Sequence, residues 1–196
     1  MNTAGIVLAA GASRRMGSPK ALLHYEGEAF FDRLIRIFAP VCTEVIVVLG
    51  RDARAIRAGL QTATAVRFII NAEWELGQLS SLQCGLTALA GETRAIFFTP
   101  VDCPAIQPET PSALLHSYEP GDRFVIPRFQ GRHGHPVLFD AQLAGEFLAL
   151  GPEAAARDIV HRYVDSTRYV DVDDPGILRD VDEPADYEAL VGVSRR

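Results

Sequence analysis

The chain has 196 residues, of which 48% are hydrophobic and 22% charged, and its formal net charge is −6. We therefore expect one domain over residues 1–196 with a sizeable buried core, and no apolar run approaches the roughly 20 residues that a membrane span needs. The acidic balance argues against nonspecific binding to nucleic acid and against attachment to an anionic membrane surface.

Strand-like and helix-like segments alternate through the first half of the chain. Residues 5–10 form a near-continuous apolar run, which is typical of a strand buried on both faces. A glycine loop follows, and then helical periodicity over residues 30–38, which Pro40 is expected to end. A β-branched run predicts a second strand over residues 44–50, and Asp52 can cap the helix after it.

The alternation continues to the middle of the sequence. Residues 65–70 predict a third strand, residues 71–78 a loop, and the leucines between residues 79 and 89 an amphipathic helix. Residues 94–100 predict a fourth strand, which runs directly into Asp102. This order favours a three-layer α/β/α fold with a mostly parallel sheet, whose ligands bind beyond the carboxyl ends of the strands.

The second half is less regular but shows no linker, repeat or low-complexity stretch. Its predicted elements are strands at 123–129 and 135–139, helices at 140–149 and 153–163, a strand at 167–173, and a turn and helix at 180–191. We therefore interpret it as an extension of the same domain.

The cysteines and the first residues bear on the cellular compartment. Cys42, Cys84 and Cys103 are widely spaced and include no CxxC pair, which argues against a disulfide framework or a zinc site. The first residues show no basic leader, so we expect a first strand there rather than a signal peptide. A reducing cytoplasm is the simplest expectation.

A glycine loop, LAAGASRRMGSPK, follows the first strand. A phosphate P-loop needs GxxxxGK[ST], but here five residues separate Gly11 from Gly17 and Lys20 comes three positions later. A dinucleotide GxGxxG fingerprint is also absent. The remaining explanations are a solvated basic turn, or a nucleotide loop whose backbone amides and the cations Arg14, Arg15 and Lys20 bind phosphates.

The loop resembles the signature of the MobA-like NTP transferases, the molybdenum cofactor nucleotidyltransferases, which reads roughly AxGxSxRMGxxK. The matching residues are Gly11, Ser13, Arg15, Met16, Gly17 and Lys20. Further family stretches follow in order up to residue 187: Asn71, Trp74, Gly77, Ser80, Ser81 and Gly85, then Asp102 and Pro104, then GHPV, GPEAAAR and DVDEPADY. The resemblance implies a Rossmann-like nucleotide-diphospho-sugar transferase fold.

The reaction that the resemblance implies is transfer of a nucleoside monophosphate from an NTP to an acceptor phosphate, with release of pyrophosphate. Both substrates are anionic, so Mg²⁺ held by carboxylates is expected. Asp102 and Asp182 are the implied ligands, and Asp180 is an alternative, because residues two apart on an extended segment face the same way. Either of the two later aspartates can instead simply cap the last helix.

The resemblance also assigns roles residue by residue. Lys20 and Arg15 contact the triphosphate, and together with Asp102 they form the expected catalytic set. The expected nucleotide-binding residues are Leu8, Ala9, Ala10, Gly11, Ser13, Arg15, Lys20, Asn71, Gly77, Ser80 and Ser81.

Five residues have alternative explanations. Ser80 opens a helix, where a serine is also an ordinary cap. Trp74 either forms a wall of the acceptor site or fills core, and His135 is expected to line the acceptor pocket. Metal binding by His135 and its neighbour His133 is disfavoured, because no third ligand lies nearby. Cys103 is interpreted as a packing residue, because phosphoryl transfer needs no cysteine nucleophile.

We expect the acceptor to be the molybdopterin cofactor and the donor to be CTP. The guanylyl branch of the family usually reads Leu-Ala-Gly-Gly at the end of the first strand, whereas Ala10 precedes Gly11 here, as in the cytidylyl branch. A methyl group at Ala10 should favour the smaller base, although GTP stays possible. The alternatives are another phosphorylated acceptor, such as a sugar or polyol phosphate, or a non-catalytic nucleotide- or cofactor-binding chaperone of a molybdoenzyme. A molybdoenzyme or its chaperone is a possible protein partner.

Overall fold

The computed structural model describes residues 1–62 and 65–194. The strands in these ranges are β1 (Thr3–Ala9), β2 (His24–Tyr25), β3 (Glu28–Ala29), β4 (Glu44–Leu49), β5 (Arg67–Ile70), β6 (Ala95–Pro100), β7 (Phe124–Phe129), β8 (Arg132–His133), β9 (Val137–Asp140) and β10 (Thr167–Asp171). The α-helices are α1 (Phe30–Phe38), α2 (Ala53–Ala58), α3 (Gln78–Thr87), α4 (Glu109–Ser117), α5 (Ala144–Leu148), α6 (Ala156–Arg162) and α7 (Pro184–Ser194).

One mixed sheet runs through the described residues in the order β10-β7-β9-β6-β1-β4-β5, and β8 pairs with β7. The central strand β1 is parallel to β4 and to β6, and β4 is parallel to β5. Strand β9 is antiparallel to both of its neighbours, while β10 is parallel to β7. The expectation of a mostly parallel sheet is confirmed.

Two apolar cores form on opposite faces of the sheet because side chains alternate along each strand. In β1, Val7 belongs to the core that also contains buried residues of α1, α2, α4 and α7. Its neighbours Ile6 and Leu8 belong to the other core, with buried residues of α3, α5 and α6. All seven residues of β1 are buried. The helices therefore cover both faces, as the predicted three-layer arrangement requires.

Helix α4 has no counterpart among the predicted elements. It begins after Pro108 and carries Pro111 in its first turn, a position that tolerates proline because the amide there has no helical acceptor. The two prolines interrupt the helical pattern in the sequence, although Leu114 is fully buried in the core.

Other predicted boundaries need correction. The predicted helices at 140–149 and 153–163 are shorter α-helices, α5 and α6, and α5 follows a 3₁₀ turn at Ala141–Leu143. Asp52 occupies the position before α2, but its side chain makes no capping hydrogen bond. Among the described residues, no helix combines the length and apolar character needed to cross a membrane.

Candidate active site

The glycine loop and Asp102 meet at one edge of the sheet because their strands are parallel neighbours. Leu8 in β1 lies opposite Pro100 in β6, and the amide of Val101 donates to the carbonyl of Leu8 at 3.0 Å. The loop after β1 and the turn after β6 therefore leave the sheet side by side. This carboxyl edge is where parallel sheets bind ligands.

A cleft of about 490 Å³ opens at this edge. Nine of the residues predicted for the site line it: Leu8, Ala9, Gly11, Ser13, Arg15, Lys20, Trp74, Asp102 and Asp182. The same cleft is also lined by three residues that were not predicted for the site: Ile56, Glu75 and Val101. These three residues belong to no phosphate or metal motif, so the sequence carries no signal for them.

Ser13 stabilises the glycine loop through a hydrogen bond inside the loop. Its hydroxyl oxygen accepts a hydrogen bond from the backbone amide of Lys20 at 2.9 Å, and its backbone has a positive φ of 47°. Gly17 also has a positive φ, 69°, a conformation that favours glycine. The exposed side chains of Arg14 and Arg15 line the cleft. The loop therefore presents two cations to the cleft.

Lys20 lies between two carboxylates. Its Nζ is 2.6 Å from Oδ1 of Asp182 and 3.4 Å from Oδ2 of Asp102. Burial raises the pKa of Asp102 and the nearby ammonium opposes that shift. The hydrogen bond from Lys20 lowers the pKa of Asp182. Lys20 is also the only lysine in the sequence, a compositional signal that marks the position without any motif.

The structure separates Asp180 from Asp182. Asp180 accepts a hydrogen bond from Cys103 Sγ at 3.2 Å and lines a different cavity, whereas Asp182 lines the cleft. Asp182 does not cap the last helix either, because Asp186 Oδ2 accepts the amides of Asp182 and Glu183 at 2.9 and 2.8 Å. Of the two alternatives, Asp182 is the one paired with Lys20.

Cys103 is unsuited to act as a nucleophile. It is fully buried, and burial together with Asp102 and Asp180 raises the pKa of its thiol well above the ordinary value. A protonated thiol is a poor nucleophile. This agrees with its interpretation as a packing residue.

The donor set fits a hard divalent cation that also contacts substrate. Asp102 and Asp182 come from different segments and share one positive charge, that of Lys20. Among residues 1–62 and 65–194, no group of three or more His, Cys, Asp and Glu side chains is arranged to hold a metal ion by itself. Mg²⁺ is usually bound through one or two carboxylates, with substrate phosphates and water completing its shell. A pair of carboxylates is what such a site needs.

The predicted polar residues around Asn71 form hydrogen bonds with one another and are not among the residues that line the cleft. The amide of Asn71 donates to Ser80 Oγ at 3.0 Å and to Ser81 Oγ at 3.1 Å. Ser80 Oγ is also 2.9 Å from the carbonyl oxygen of Gly77, to which it donates. Asn71 and Ser80 line a separate cavity. These side chains fix the turn before α3. That Asn71, Gly77, Ser80 and Ser81 hold the base and ribose stays a prediction.

The expected acceptor pair is also divided. Trp74 lines the cleft beside the glycine loop, whereas His135 lines another cavity with Asp180. Ala10 is 4% exposed and does not line the cleft, although its neighbours Ala9 and Gly11 do. That its methyl group narrows the space beside the base stays a prediction.

Asp174 holds the segment that carries Asp182, a role that the sequence analysis missed. This buried carboxylate accepts hydrogen bonds from Gln107 N at 2.9 Å, Thr110 Oγ1 at 2.6 Å and Gly176 N at 2.8 Å. It thereby ties the chain after β6 to the chain before α7. The two segments that carry the cleft's carboxylates are fixed against each other.

Replacing Asp174 by alanine is expected to lower the free energy of unfolding by about 2–4 kcal/mol, because three donors, two of them buried, lose their acceptor. Urea denaturation of the two proteins measures the difference. Asp173→Ala is the matched control, since Asp173 is exposed. Equal stability of Asp174→Ala and Asp173→Ala would contradict this role of Asp174.

Comparison with known proteins identifies the family. The model of the MobA-like NTP transferase domain matches residues 5–167. A nicotine blue oxidoreductase from Paenarthrobacter nicotinovorans is 33% identical in an alignment 190 residues long, which covers 91% of this chain and 91% of that protein. A probable molybdenum cofactor guanylyltransferase from Bacillus cytotoxicus is 29% identical over 137 residues, covering 70% of this chain and 67% of that protein.

A solved structure agrees along almost the whole chain. Rv0371c from Mycobacterium tuberculosis H37Rv superposes with a TM-score of 0.83 at 27% identity, covering 98% of this chain and 99% of that one. Its complex with manganese gives a TM-score of 0.78 at 25% identity over the same shares. The predicted fold is thereby confirmed. The chain belongs to the MobA-like NTP transferase family and is a nucleotidyltransferase.

Proposed function

We propose that this protein transfers CMP from CTP to the phosphate of molybdopterin with the help of Mg²⁺, and so forms a dinucleotide cofactor. The observation that carries the proposal is the position of Lys20, whose ammonium contacts Asp102 and Asp182 in a cleft that also carries Arg14 and Arg15. Cations and carboxylates together are what a triphosphate with its metal requires.

The reaction forms one bond and breaks one. An oxygen of the acceptor phosphate attacks the α-phosphorus of the nucleotide, and the bond from that phosphorus to the oxygen bridging to the β-phosphate breaks. Pyrophosphate leaves with the bonding electrons, and a new P–O–P linkage joins acceptor and nucleoside. Lys20 and Arg15 stabilise the charge that accumulates on the phosphates.

Asp102 and Asp182 would hold Mg²⁺. When bound, the ion would neutralise phosphate charge and favour pyrophosphate as the leaving group. Support comes from the carboxylate pair itself and from the relative Rv0371c, for which a complex with manganese has been solved.

CTP is the proposed donor, on the resemblance of the residues around Ala10 to the cytidylyl branch. We expect kcat/KM for CTP to exceed that for GTP by about 10–200-fold, the range that pocket shape alone provides. Steady-state pyrophosphate release with either nucleotide and the same acceptor measures the ratio. The guanylyltransferase names of several relatives define the competing result, a higher kcat/KM for GTP.

A second candidate activity, beside nucleotidyl transfer, is oxidoreduction, favoured by the 33% identity to nicotine blue oxidoreductase over 91% of both chains. The two functions predict different products. A nucleotidyltransferase releases pyrophosphate only when acceptor and NTP are both present, whereas an oxidoreductase consumes a redox co-substrate and releases none. The protein is incubated with molybdopterin, CTP and a redox co-substrate. Pyrophosphate release and the absorbance of the redox co-substrate are both recorded, and the two readings separate the two functions.

The same experiment tests the acceptor. Pyrophosphate release with molybdopterin, and its absence with sugar or polyol phosphates, supports the proposal. Release only with a sugar or polyol phosphate would keep the chemistry and change the substrate. Tight binding of CTP without release in the presence of molybdopterin would point to a cofactor-binding chaperone of a molybdoenzyme.

A further inference from the structure

Arg33 is a buried cation that connects two parts of the candidate active site without lining the cleft. It lies in α1 and is 7% exposed. A buried guanidinium is unfavourable unless its charge is paired and its N–H groups find acceptors. Its two closest acceptors belong to the chain after Asp102 and to the chain after Lys20.

The first contact of Arg33 fixes the turn after Asp102. Its Nε donates a buried hydrogen bond to the carbonyl oxygen of Pro104 at 2.8 Å. Proline has no amide hydrogen, so its carbonyl is the backbone group through which this position can be held. Pro104 is two residues after Asp102, whose own carbonyl accepts the amide of Val181 at 2.8 Å. Arg33 thereby holds the turn that carries Asp102 against α1.

The second contact of Arg33 holds the β2–β3 hairpin, residues 24–29, which follows Lys20 closely. The amide of Leu23, the residue before β2, donates to the carbonyl of Lys20 at 3.0 Å. The carboxylate of Glu26, in the hairpin turn, is 2.8 Å from Nη1 of Arg33. The Cζ atom of Arg33 also lies 5.1 Å from the centre of the Tyr25 ring. Arg33 therefore contacts the hairpin through a charge and through an aromatic face.

The segment that carries Asp182 is attached to the same hairpin. Asp182 is followed by α7, and the hydroxyl group of Tyr187 in α7 donates to the carbonyl of His24 in β2 at 2.9 Å. The β2–β3 hairpin thus joins the three segments that carry the ammonium and the two carboxylates of the cleft. The ammonium lies 2.6 Å from one of these carboxylates and 3.4 Å from the other.

We propose that Arg33 is a positioning residue for nucleotidyl transfer, because it sets the position of Lys20 relative to Asp102 by joining the hairpin to Pro104. One guanidinium can hold both sides, since its N–H groups form a rigid planar fork. The ammonium and the carboxylates must meet the same triphosphate and metal, so a shift of one segment against the other lowers the rate of transfer. The proposal rests on the proposed function only where turnover is measured.

Arg36 on the same helix provides a matched control. Its exposed guanidinium pairs with Glu28 of the hairpin at 2.8 Å. It therefore joins α1 to the hairpin as Arg33 does, but in the described part of the chain it makes no hydrogen bond to the turn after Asp102. Arg33→Met and Arg36→Met remove the same group from the same helix, and only Arg33→Met releases the carbonyl of Pro104.

The first test needs no turnover. Because Lys20 is the only lysine, its rate of modification by an amine-selective reagent, in ligand-free protein at fixed pH, reports how firmly the carboxylates hold the ammonium. We expect Arg33→Met to raise this rate about tenfold, because charge-assisted hydrogen bonds weaken when their geometry is lost. Arg36→Met should change it by less than about twofold, since an exposed ion pair contributes little. An unchanged rate in Arg33→Met would overturn the proposal.

The second test separates kcat from nucleotide binding. At saturating Mg²⁺ and CTP, Arg33→Met should lower kcat about 10–100-fold, because misplacement of reacting groups by about 1 Å can cost 10²-fold. Calorimetric titration with a CTP analogue whose α,β-bridging oxygen is a methylene group should give a Kd within about twofold of the original, the pattern of a group that acts on the transition state. The same titration counts binding-competent sites. If kcat per site is unchanged in Arg33→Met, its role is to stabilise the fold and the proposal fails.

A second variant covers the case in which Arg33→Met does not fold. Glu26→Asn removes the carboxylate that pairs with Arg33, and asparagine tolerates the positive φ of 52° at this position. The side chain of Glu26 is 45% exposed, so we expect this variant to fold. It should show a smaller rise in the modification of Lys20 and a smaller loss of kcat. Unchanged values of both would overturn the proposal.

These experiments also distinguish failure of this proposal from failure of the proposed function. If Lys20 is modified faster in Arg33→Met, but the original protein releases pyrophosphate with no acceptor, the positioning of Lys20 stands and the proposed function fails. If the original protein releases pyrophosphate, and Arg33→Met and Glu26→Asn keep both its kcat and its modification rate, the proposed function stands and the role of Arg33 fails.

Discussion

Replacing Lys20 by alanine is expected to lower kcat about 10²–10³-fold while the protein stays folded. The ammonium is fixed beside Asp102 and Asp182, where the phosphates of a bound nucleotide would meet the carboxylates. Removal of one preorganised group that stabilises transition-state charge costs about 3–4 kcal/mol, which is a loss of this size. The rate of pyrophosphate release at saturating CTP measures it, and circular dichroism checks the fold.

Lys20→Arg is the matched variant because it keeps the charge and changes the shape. A planar guanidinium does not reproduce a point-like ammonium between two carboxylates. We expect nucleotide affinity near that of the original protein and only partial recovery of kcat. Near-normal turnover of Lys20→Ala would remove Lys20 from the mechanism.

The composition of the chain offers an independent measurement at the same residue. Lys20 carries the only lysine amine in the sequence, so an amine-selective reagent can modify one side chain only. Bound CTP should slow this modification at least tenfold, because the ammonium then faces the triphosphate. Mass spectrometry reads the modified fraction directly, and an unchanged rate would show that the nucleotide does not cover Lys20.

The buried strands could be predicted from the sequence because each is a short apolar run between turn residues. All seven residues of β1 are buried, and its parallel pairing with β4 and β6 follows from the helices between them. Helix α4 could not be predicted in this way, because Pro108 and Pro111 mask its start. Its position is set by Leu114, whose burial depends on contacts distant in sequence.

Part of the site could be predicted from the positions of the strands. The glycine loop and Asp102 each follow a strand, and parallel strands bring such positions together. The sequence positions of Trp74 and His135 do not indicate whether the two side chains share one pocket. In the structure they line different cavities. Asp174 was missed because its three donors come from residues 107–110 and from Gly176, a contact pattern without local periodicity.

Strand periodicity does not predict the contacts of Asp180 and Asp182 correctly. Side chains two positions apart on a strand would lie on the same face of the sheet. The segment that carries them is not a strand, since its backbone is irregular from residue 179 to residue 183. Asp180 therefore contacts Cys103 while Asp182 contacts Lys20. The choice between them depends on local backbone geometry that only the structure supplies.

Asp102→Asn and Asp182→Asn are each expected to raise the Mg²⁺ concentration for half-maximal activity by about 10²-fold. An amide keeps the shape of the side chain but loses the charge that attracts a hard cation. Loss of a partner outside the first coordination shell already costs 10–100-fold in metal affinity, so loss of a ligand charge should reach at least the upper end of that range. Titration of pyrophosphate release with Mg²⁺ and with Mn²⁺ measures the shift.

The control for this pair is Asp180→Asn, which changes the neighbouring carboxylate that does not line the cleft. It should leave the Mg²⁺ requirement within about threefold of the original. Loss of Lys20 should act on kcat even at saturating metal, whereas loss of either ligand should be offset by added metal, so the two effects are separable. If Asp182→Asn is silent and Asp180→Asn needs more Mg²⁺, the second ligand is Asp180, and the pairing of Lys20 with Asp182 serves only to hold the segment before α7.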